Sequence, residues 1–449
     1  MEKLGFSKFD LLEFMKDFFK RRFKTDSPLA FVKVFGCQQN EADTERIKGF
    51  LFSVGFKFVD EPFLADLILF NTCAVRHTAE NRVLSHIGNL KKLKKINPNV
   101  FISICGCMVE QESILEIIRN KYPYVDFICG AKSVEKFPEL LYEKITGQKV
   151  FDSNINFPIY QDCKFKSWIP IISGCNNFCS YCIVPYVRGR EKSVDYRKVL
   201  NDCESCVKNG SKIVTLLGQN VNSYSFEDMK FPDLLKTIDK IDGDFTLRFM
   251  TSHPKDFNEN LVDVLSECKH FSGHLHLPVQ SGNDRILKLM NRKYKIEQYI
   301  EKVKYARKKL TNLVVTSDII VGFPGETEKE FEDTIDLVKK LKFASVFSFV
   351  YSPRKGTLAY EMGDSIPHEE KIRRISYLIE TQAKISEDVL SDFVEKNLLA
   401  TVESVSDDVS LARTDSNLLV KIDGKFIPGD RFRVKILKSA RNSLFGVKI

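Results

Sequence analysis

Between residues 163 and 391 six β-like runs follow one another, IPIISG, KIVTLLG, FTLRFM, HLHLPV, LVVTSDIIVG and SVFSFVYS, with helical patterns between them. Such βα alternation restricts this stretch to a parallel sheet, open or curled, because parallel neighbours are joined by crossover helices. After each run the text turns polar or rich in Gly and Pro before a helix resumes: GCNNFCSYC, GQNVNSY, TSHPKD, PVQSGND, GFPGETE and SPRKGT. In (β/α) barrels the loops at the C-terminal ends of the strands carry the chemistry. The expectation is therefore a partial (β/α)6 barrel over residues 161–391, with its chemistry on these six loops.

Upstream, FVKVFG (Phe31–Gly36) precedes a helical stretch Glu41–Phe52, and DLILFN (Asp66–Asn71) precedes one near Val75–Lys95. VFISIC (Val100–Cys105) leads to a helix near Val109–Asn120, and YVDFIC (Tyr124–Cys129) to a last amphipathic helix. This repetition predicts a doubly wound parallel sheet over 29–146. Gly147–Asp162 has no period and reads as a linker. Residues 1–28 form an amphipathic extension (FDLLEFMKDFFKRRF) whose Phe and Leu spacing favours a helix docked on the body over one lying on a membrane. A long helical stretch, Pro367–Lys396, leads to alternating NLLVKI and RFRVKILK with turns at Asp423-Gly424 and Pro428-Gly429, so a small all-β barrel is expected over 394–449. Residues 411–449 hold nine Lys/Arg against three Asp, an excess that suits a nucleic-acid-facing module or, more plainly, a solvated β surface.

At 449 residues the chain exceeds what one core serves, and 43% hydrophobic with 29% charged residues argues against wholesale disorder. A net charge of +8 permits a polyanionic partner without demanding one. No apolar run reaches the roughly 18 residues of a membrane span, and charges break every candidate leader core before Ser27. The expected location is cytoplasmic, where the twelve cysteines read as metal ligands and core residues rather than disulfides.

Cys175, Cys179 and Cys182 form C-x3-C-x2-C directly after the first barrel run. Three thiolates on one loop suit three irons of a 4Fe-4S cube and leave the fourth iron open to a small chelator. A second triad is spread over the N-terminal region, with Cys37 after its first strand, Cys73 after the second and Cys107 after the third. Loops after successive parallel strands gather at one sheet edge, so these three converge in the expected fold and read together as a second cluster site. Taken singly, each would pass for a small buried hydrophobe. The other cysteines read as structural: Cys105 and Cys129 in strands, Cys203 and Cys206 on the apolar face of a helix, Cys163 and Cys268 without partners.

GCNNFCSYCIVPYVRGRE resembles the cluster loop of radical-SAM enzymes, and most closely that of the radical-SAM methylthiotransferase family; the resemblance runs from about Phe31 to Ile449. It implies two 4Fe-4S clusters and S-adenosylmethionine (SAM), the open iron chelated by SAM, which is cleaved to a 5′-deoxyadenosyl radical. It also implies that the family's auxiliary triad maps onto Cys37, Cys73 and Cys107, although Gln39 stands where the family usually has Met. By the same resemblance GQN, PVQSG and the strand before GFPGETE surround SAM, with Tyr181, Gln219, Asn220, Gln280 and Ser281 as its contacts, and the all-β tail is a TRAM-like RNA-binding barrel. His253 is either a proton-transfer group or a positional one. Arg188, Arg190, Arg354 and Lys355 either hold phosphate or pair with Glu191 or Glu326.

LLGQNVNSY, RFMTSHPKDF and HLPVQSGNDRILKLMNRKY look like the branch that methylthiolates carbon 2 of prenylated (dimethylallyl) adenosine beside the anticodon of tRNA. In that case one SAM methylates a sulfur at the N-terminal cluster and a second supplies the radical. The partners implied are the anticodon stem-loop and an electron donor such as flavodoxin or ferredoxin, with the protein a monomer. The alternatives are sister branches acting on threonylcarbamoyl-adenosine or on a ribosomal-protein aspartate, or an iron–sulfur carrier with no reaction of its own.

Overall fold

Apolar runs spaced by helical text become two separate sets of parallel strands in the computed structural model, which describes residues 8–74, 77–149 and 157–449. The chain divides into two compact units, Met1–Asp162 with Ile183–Gly189, and Cys163–Cys182 with Arg190–Ile449.

The first unit is built on a five-stranded parallel sheet. Its spatial order is Lys57–Phe58, Leu29–Phe35, Leu67–Thr72, Phe101–Gly106 and Phe127–Gly130. The central strand Leu67–Thr72 and its neighbour Phe101–Gly106 are wholly buried, as expected of a parallel sheet covered on both faces. One apolar cluster gathers Phe50, Leu51, Leu69, Phe137 and Leu141 on one side, and another gathers Ile68, Phe70, Val83, Ile87 and Ile104 on the other. The helix Lys8–Phe23 joins the first cluster through Leu11, Met15 and Phe19, one residue per helical turn, with Phe19 edge-on to Phe56 at 4.9 Å. At about 1.5–3 kcal/mol per buried side chain, this contact holds the helix to the sheet. The helix expected from Val75 runs His77–Ile96, and Val75 and Arg76 lie outside the described residues. The helix expected near Val109 starts at Glu112 instead, because a 3-10 turn, Met108–Glu110, first carries the chain away from Cys107. The linker read over Gly147–Asp162 lies partly outside the described residues.

In the second unit six strands follow in chain order, five on their runs and the first, Lys166–Pro170, upstream of most of IPIISG, whose Ile172–Ser173 pairs antiparallel with Lys192–Ser193 instead. Lys166–Pro170, Ile213–Leu217 and Thr246–Phe249 pair as one parallel sheet, and His274–His276, Val314–Val321 and Ser345–Val350 as another. A parallel bridge from Leu247 to Phe271 stands between them. The helices cover the outside, and the core runs through Leu216, Leu247, Leu275, Ile319, Phe331 and Val338.

The helix His368–Ser391 leads into a closed five-stranded barrel, Asn397–Ser406, Val409–Thr414, Leu419–Asp423, Ser443–Lys448 and Arg431–Ala440 in spatial order. Its core is continuous with the (β/α) body, since Val314, Ala344, Leu390 and Phe393 pack with Val402, Val420, Ile436 and Leu444. The seam is also bonded. Arg248 donates to the Thr414 carbonyl at 2.7 Å, Thr246 Oγ1 to Asp415 at 2.6 Å, and Arg431 to the Lys212 carbonyl at 2.9 Å.

Candidate iron–sulfur and cofactor site

Strand register sets the N-terminal triad. Phe35 pairs with Thr72 and Thr72 with Gly106, so Cys37, Cys73 and Cys107 all follow the same rung of the sheet. Gly106, at φ +103°, sits where a side chain would strike Thr72, and it lets the Cys107 N–H reach the Thr72 carbonyl at 2.9 Å. Asn40 and Asn71 lock the strand ends: Asn40 Nδ2 donates to Asn71 Oδ1, and Asn71 Nδ2 donates to the Asn40 carbonyl and to Thr44 Oγ1, each at 2.9 Å. Cys105 and Cys129 pair with each other one rung earlier, inside the sheet, which is why they are core residues.

The Cys37 thiol is lowered to about 6, first by its hydrogen bond with Cys73 and then, against burial, by the charge of Arg188. Burial pushes Cys107 up to about 11, against the pull of Arg188. Arg188 Nε stands 3.2 Å from Cys107 Sγ, and its Nη2 3.0 Å from Asp43 Oδ2, with both charged side chains buried. The expectation of a phosphate contact at Arg188 is thereby corrected: its guanidinium is consumed inside the first unit.

The loop bearing Cys175, Cys179 and Cys182 is held by a second loop, Leu289–Tyr294. Ser180 N–H donates to the Met290 carbonyl at 3.1 Å, Ser180 Oγ to the Leu289 carbonyl at 2.7 Å, and Asn291 Nδ2 to the Phe178 carbonyl at 2.9 Å. Phe178 takes φ +46° at the bend, with the Arg190 guanidinium 4.3 Å above its ring. The Cys182 N–H closes a turn on the Cys179 carbonyl at 2.9 Å. Arg292, next to Asn291, places Nη1 3.5 Å from Cys179 Sγ. Tyr181 is half-buried beside the cluster of Ile286, Met290, Phe323 and Tyr351; burial raises its hydroxyl well above the usual value.

On the other loops the expected SAM contacts have different surroundings. Gln219 Oε1 is buried with no partner among the described residues, as are both amide atoms of Asn222, Ser252 Oγ and His253 Nε2. Asn220 is bonded within the fold at both ends of its amide: Nδ2 donates to Asp256 at 2.7 Å, and Oδ1 accepts from the His253 N–H at 3.1 Å. Gln280 is buried at φ +73°, bonded through its backbone to Asp318 and Ile320. Thr251, β-branched, takes φ +66°. Left-handed non-glycine residues cost energy and gather at functional sites. Ser281 is wholly buried and accepts from the Asn283 N–H, while Gly282 lies so close to the backbone at Thr334 that only glycine fits. The glycine of PVQSG thus serves helix packing.

His253 Nδ1 accepts from the Lys255 N–H at 3.2 Å, so the proton is assigned to Nε2. Burial, then Arg292, Lys255 and Lys302, lower its pKa to about 2. It is therefore uncharged at neutral pH. Glu326 is bonded by Arg374 and the Gly322 N–H, and Glu191 by Ser223. Sequence reasoning missed Arg292, Asn222 and Asp43, none of which has a motif spacing of its own.

Among the described residues no three His, Cys, Asp or Glu side chains close around a single-ion position. A cube binds each thiolate at a different iron, so its ligands stand apart by design. Six thiols on two strand-end loop sets, each facing a buried arginine, fit clusters by their chemistry.

Comparison with known proteins agrees in kind. Residues 169–338 match the Radical SAM superfamily, 30–130 the Uncharacterized protein family UPF0004 and 394–449 the TRAM domain. The chain is 42% identical over 434 residues to the tRNA-2-methylthio-N(6)-dimethylallyladenosine synthase of Clostridium tetani, covering 93% of this chain and 96% of that one. It is 43% identical over 436 residues to the same-named protein of Carboxydothermus hydrogenoformans, covering 93% and 99%. The chain belongs to the tRNA-2-methylthio-N(6)-dimethylallyladenosine synthase family. A synthase of this family is a radical-SAM enzyme that uses SAM and 4Fe-4S clusters. In solved structures the synthase fold resembles the radical S-adenosylmethionine methyltransferase TsrM of Kitasatospora setae, which has cobalamin and a [4Fe-4S] cluster bound (TM-score 0.57, 12% identity, 74% of this chain and 77% of that one). At that identity the likeness concerns the fold. No helix among the described residues is long and apolar enough to cross a membrane.

Proposed function

We infer that this enzyme transfers a methylthio group to carbon 2 of dimethylallyl-adenosine next to the anticodon in tRNA, using SAM both as methyl donor and as radical source. The observation that carries the reading is identity above 40% with synthases of that activity over 93% of the chain. In this reading Cys175, Cys179 and Cys182 hold the SAM-chelating cluster and Cys37, Cys73 and Cys107 the auxiliary one. When bound, cluster and SAM supply the one-electron chemistry that an unactivated adenine C–H requires and side chains lack.

The chain's own residues bind and orient. Gln219, Asn222 and Ser252 offer buried, unsatisfied polar atoms on the loops after the second and third barrel strands, and Nε2–H of His253 is a donor there. An unsatisfied buried group costs about 1–3 kcal/mol, so a ligand that satisfies these groups recovers that energy. Tyr181, on the loop after the first barrel strand, and Gln280 and Ser281, on the loop after the fourth, complete the proposed SAM contacts. Asn220 acts through others, holding Asp256 and the His253 backbone. Exposed Arg190 and Lys355 on the loops, with the basic barrel surface, suit a ribose-phosphate backbone. A flavodoxin or ferredoxin as electron donor, a monomeric state and a cytoplasmic location complete the proposal.

The test is mass spectrometry of tRNA nucleosides with and without the gene. Loss of the 2-methylthio nucleoside with accumulation of its dimethylallyl precursor is expected. A change confined to threonylcarbamoyl-adenosine derivatives, or to a ribosomal-protein aspartate, would transfer the enzyme to a sister activity.

A further inference from the structure

The guanidinium of Arg292 is buried, and its hydrogen bonds fix its orientation. Nε donates to Tyr294 Oη at 3.0 Å, Nη2 to the Pro278 carbonyl at 2.7 Å, and Nη1 faces Cys179 Sγ at 3.5 Å. Tyr294 spends its own proton on the Val279 carbonyl at 2.7 Å, which frees its lone pair for Nε. Neither carbonyl nor phenol carries charge, and no carboxylate pairs with this arginine among the described residues. Arg188, beside Cys107, is different, because Asp43 already neutralises it at 3.0 Å. Arg374, also buried, is met by Glu326 at 2.9 Å and Glu370 at 2.7 Å. A buried cation without a counter-ion is strongly disfavoured, and of the three groups Arg292 bonds only the Cys179 sulfur becomes anionic as a cluster ligand.

We propose that Arg292 is the charge partner of the cluster held by Cys175, Cys179 and Cys182 and raises that cluster's reduction potential. The proposal rests on the ligand assignment made above. Reduction adds one electron and makes the thiolate-ligated cluster more anionic; a cationic N–H donor at a ligand sulfur stabilises that state over the oxidised one. Hydrogen bonds to sulfur and local charge are among the terms that set such potentials. Tyr294 and Pro278 act as the brace that aims Nη1, and Asn291 ties the same loop to the cysteine loop. Arg292 is therefore a positioning and tuning residue for electron entry.

The experiment is an EPR-monitored redox titration, without SAM, of full-length reconstituted protein in a Cys37→Ala/Cys73→Ala/Cys107→Ala background, so that only one cluster titrates. Arg292→Met with its four irons retained is expected to reduce at least tenfold less favourably at a given potential, a shift of about 59 mV to more negative values for one electron. Arg292→Lys, which keeps the charge, should stay near the parent. If Arg292→Met loses its irons, Arg292→Gln against Arg292→Lys decides, the neutral side chain giving the more negative potential. Equal potentials in either comparison overturn the proposal, as does an unchanged potential with weakened SAM binding, which would assign Arg292 to the SAM carboxylate. Retention of full iron by Cys175→Ala/Cys179→Ala/Cys182→Ala would instead sink the ligand assignment itself, so the two failures are distinguishable.

Discussion

Arg188 Nε stands 3.2 Å from Cys107 Sγ, although the two residues are separated by 81 positions in the chain. The segment that carries Arg188, Ile183–Gly189, groups with the first unit, while the residues on both sides of it group with the second. The buried Arg188–Asp43 pair fixes that excursion and supplies a donor to the auxiliary triad. Arg188→Met leaves the buried Asp43 charge with only the neutral Gln39 amide, 3.1 Å away, as a partner, at a cost of about 3–5 kcal/mol. The expected result is a lower unfolding midpoint and iron loss from the N-terminal triad, partly reversed by adding Asp43→Asn. A double-mutant cycle that shows strict additivity would remove the coupling.

Iron content follows from the two triads. Reconstituted protein should hold about eight irons in two 4Fe-4S clusters, and replacing Cys175, Cys179 and Cys182 by Ala should halve that number and abolish reductive SAM cleavage. Colorimetric iron and 5′-deoxyadenosine assays read both.

The triads should also separate by role. With Cys37, Cys73 and Cys107 replaced by Ala, 5′-deoxyadenosine should still form while methylthiolated nucleoside does not. A folded variant that makes neither product contradicts the division.

His253 gives a pH dependence of stability. Burial lowers its pKa to about 2 from the ordinary 6.5. The unfolded chain then binds a proton that the folded chain refuses, so stability is intact above 6.5 and falls as the solution is acidified below it. Between pH 7.5 and 5.5 the loss from this one site is about 1.4 kcal/mol. His253→Asn should flatten that part of the profile in denaturant titrations, and the activity profile above pH 7 should show no histidine ionisation from this residue.

The basic tail yields a salt dependence. Lys438 lies 4.8 Å over the Phe445 ring and Arg441 is exposed, whereas Lys435 is already paired with Glu395 at 2.8 Å. Neutralising Lys438 and Arg441 should reduce the salt slope of anticodon stem-loop binding by roughly 0.7–0.9 for each phosphate left without its cation, and adding Lys435 should change it less. Unchanged slopes would mean the barrel serves packing alone.

The longer parallel strands were legible because each is an apolar run closed by turn chemistry, whereas Lys57–Phe58, two residues at the sheet's edge, has no run to mark it; the cysteines proposed as ligands stand out because they follow those runs. Register then sorts Cys73 and Cys107 from Cys105 and Cys129, which local pattern alone leaves close together. Arg188 reads in sequence as a phosphate ligand or as a partner of Glu191 or Glu326, and proves to be half of a buried pair with Asp43, 145 residues away. Asn220 reads as a cofactor contact, yet both ends of its amide are taken by Asp256 and the His253 backbone. Arg292 is indistinguishable from a surface arginine until the chain folds, because its burial comes from Pro278, Tyr294 and the cysteine loop together.

The seam between the C-terminal barrel and the (β/α) body has a further consequence. Arg248, Thr246 and Arg431 stitch it, and Val314, Ala344, Leu390 and Phe393 pack into the barrel's core. Excising the tail would therefore strip the body of packing and leave the Arg248 charge without its carbonyl partner, so a truncated protein reports on folding before it reports on RNA. The same seam makes the pair of parts a fixed gauge. A stem gripped on the tail presents its loop at one set reach from the strand ends, and an anticodon arm lengthened or shortened within its stem should be refused even when every base in the loop is correct.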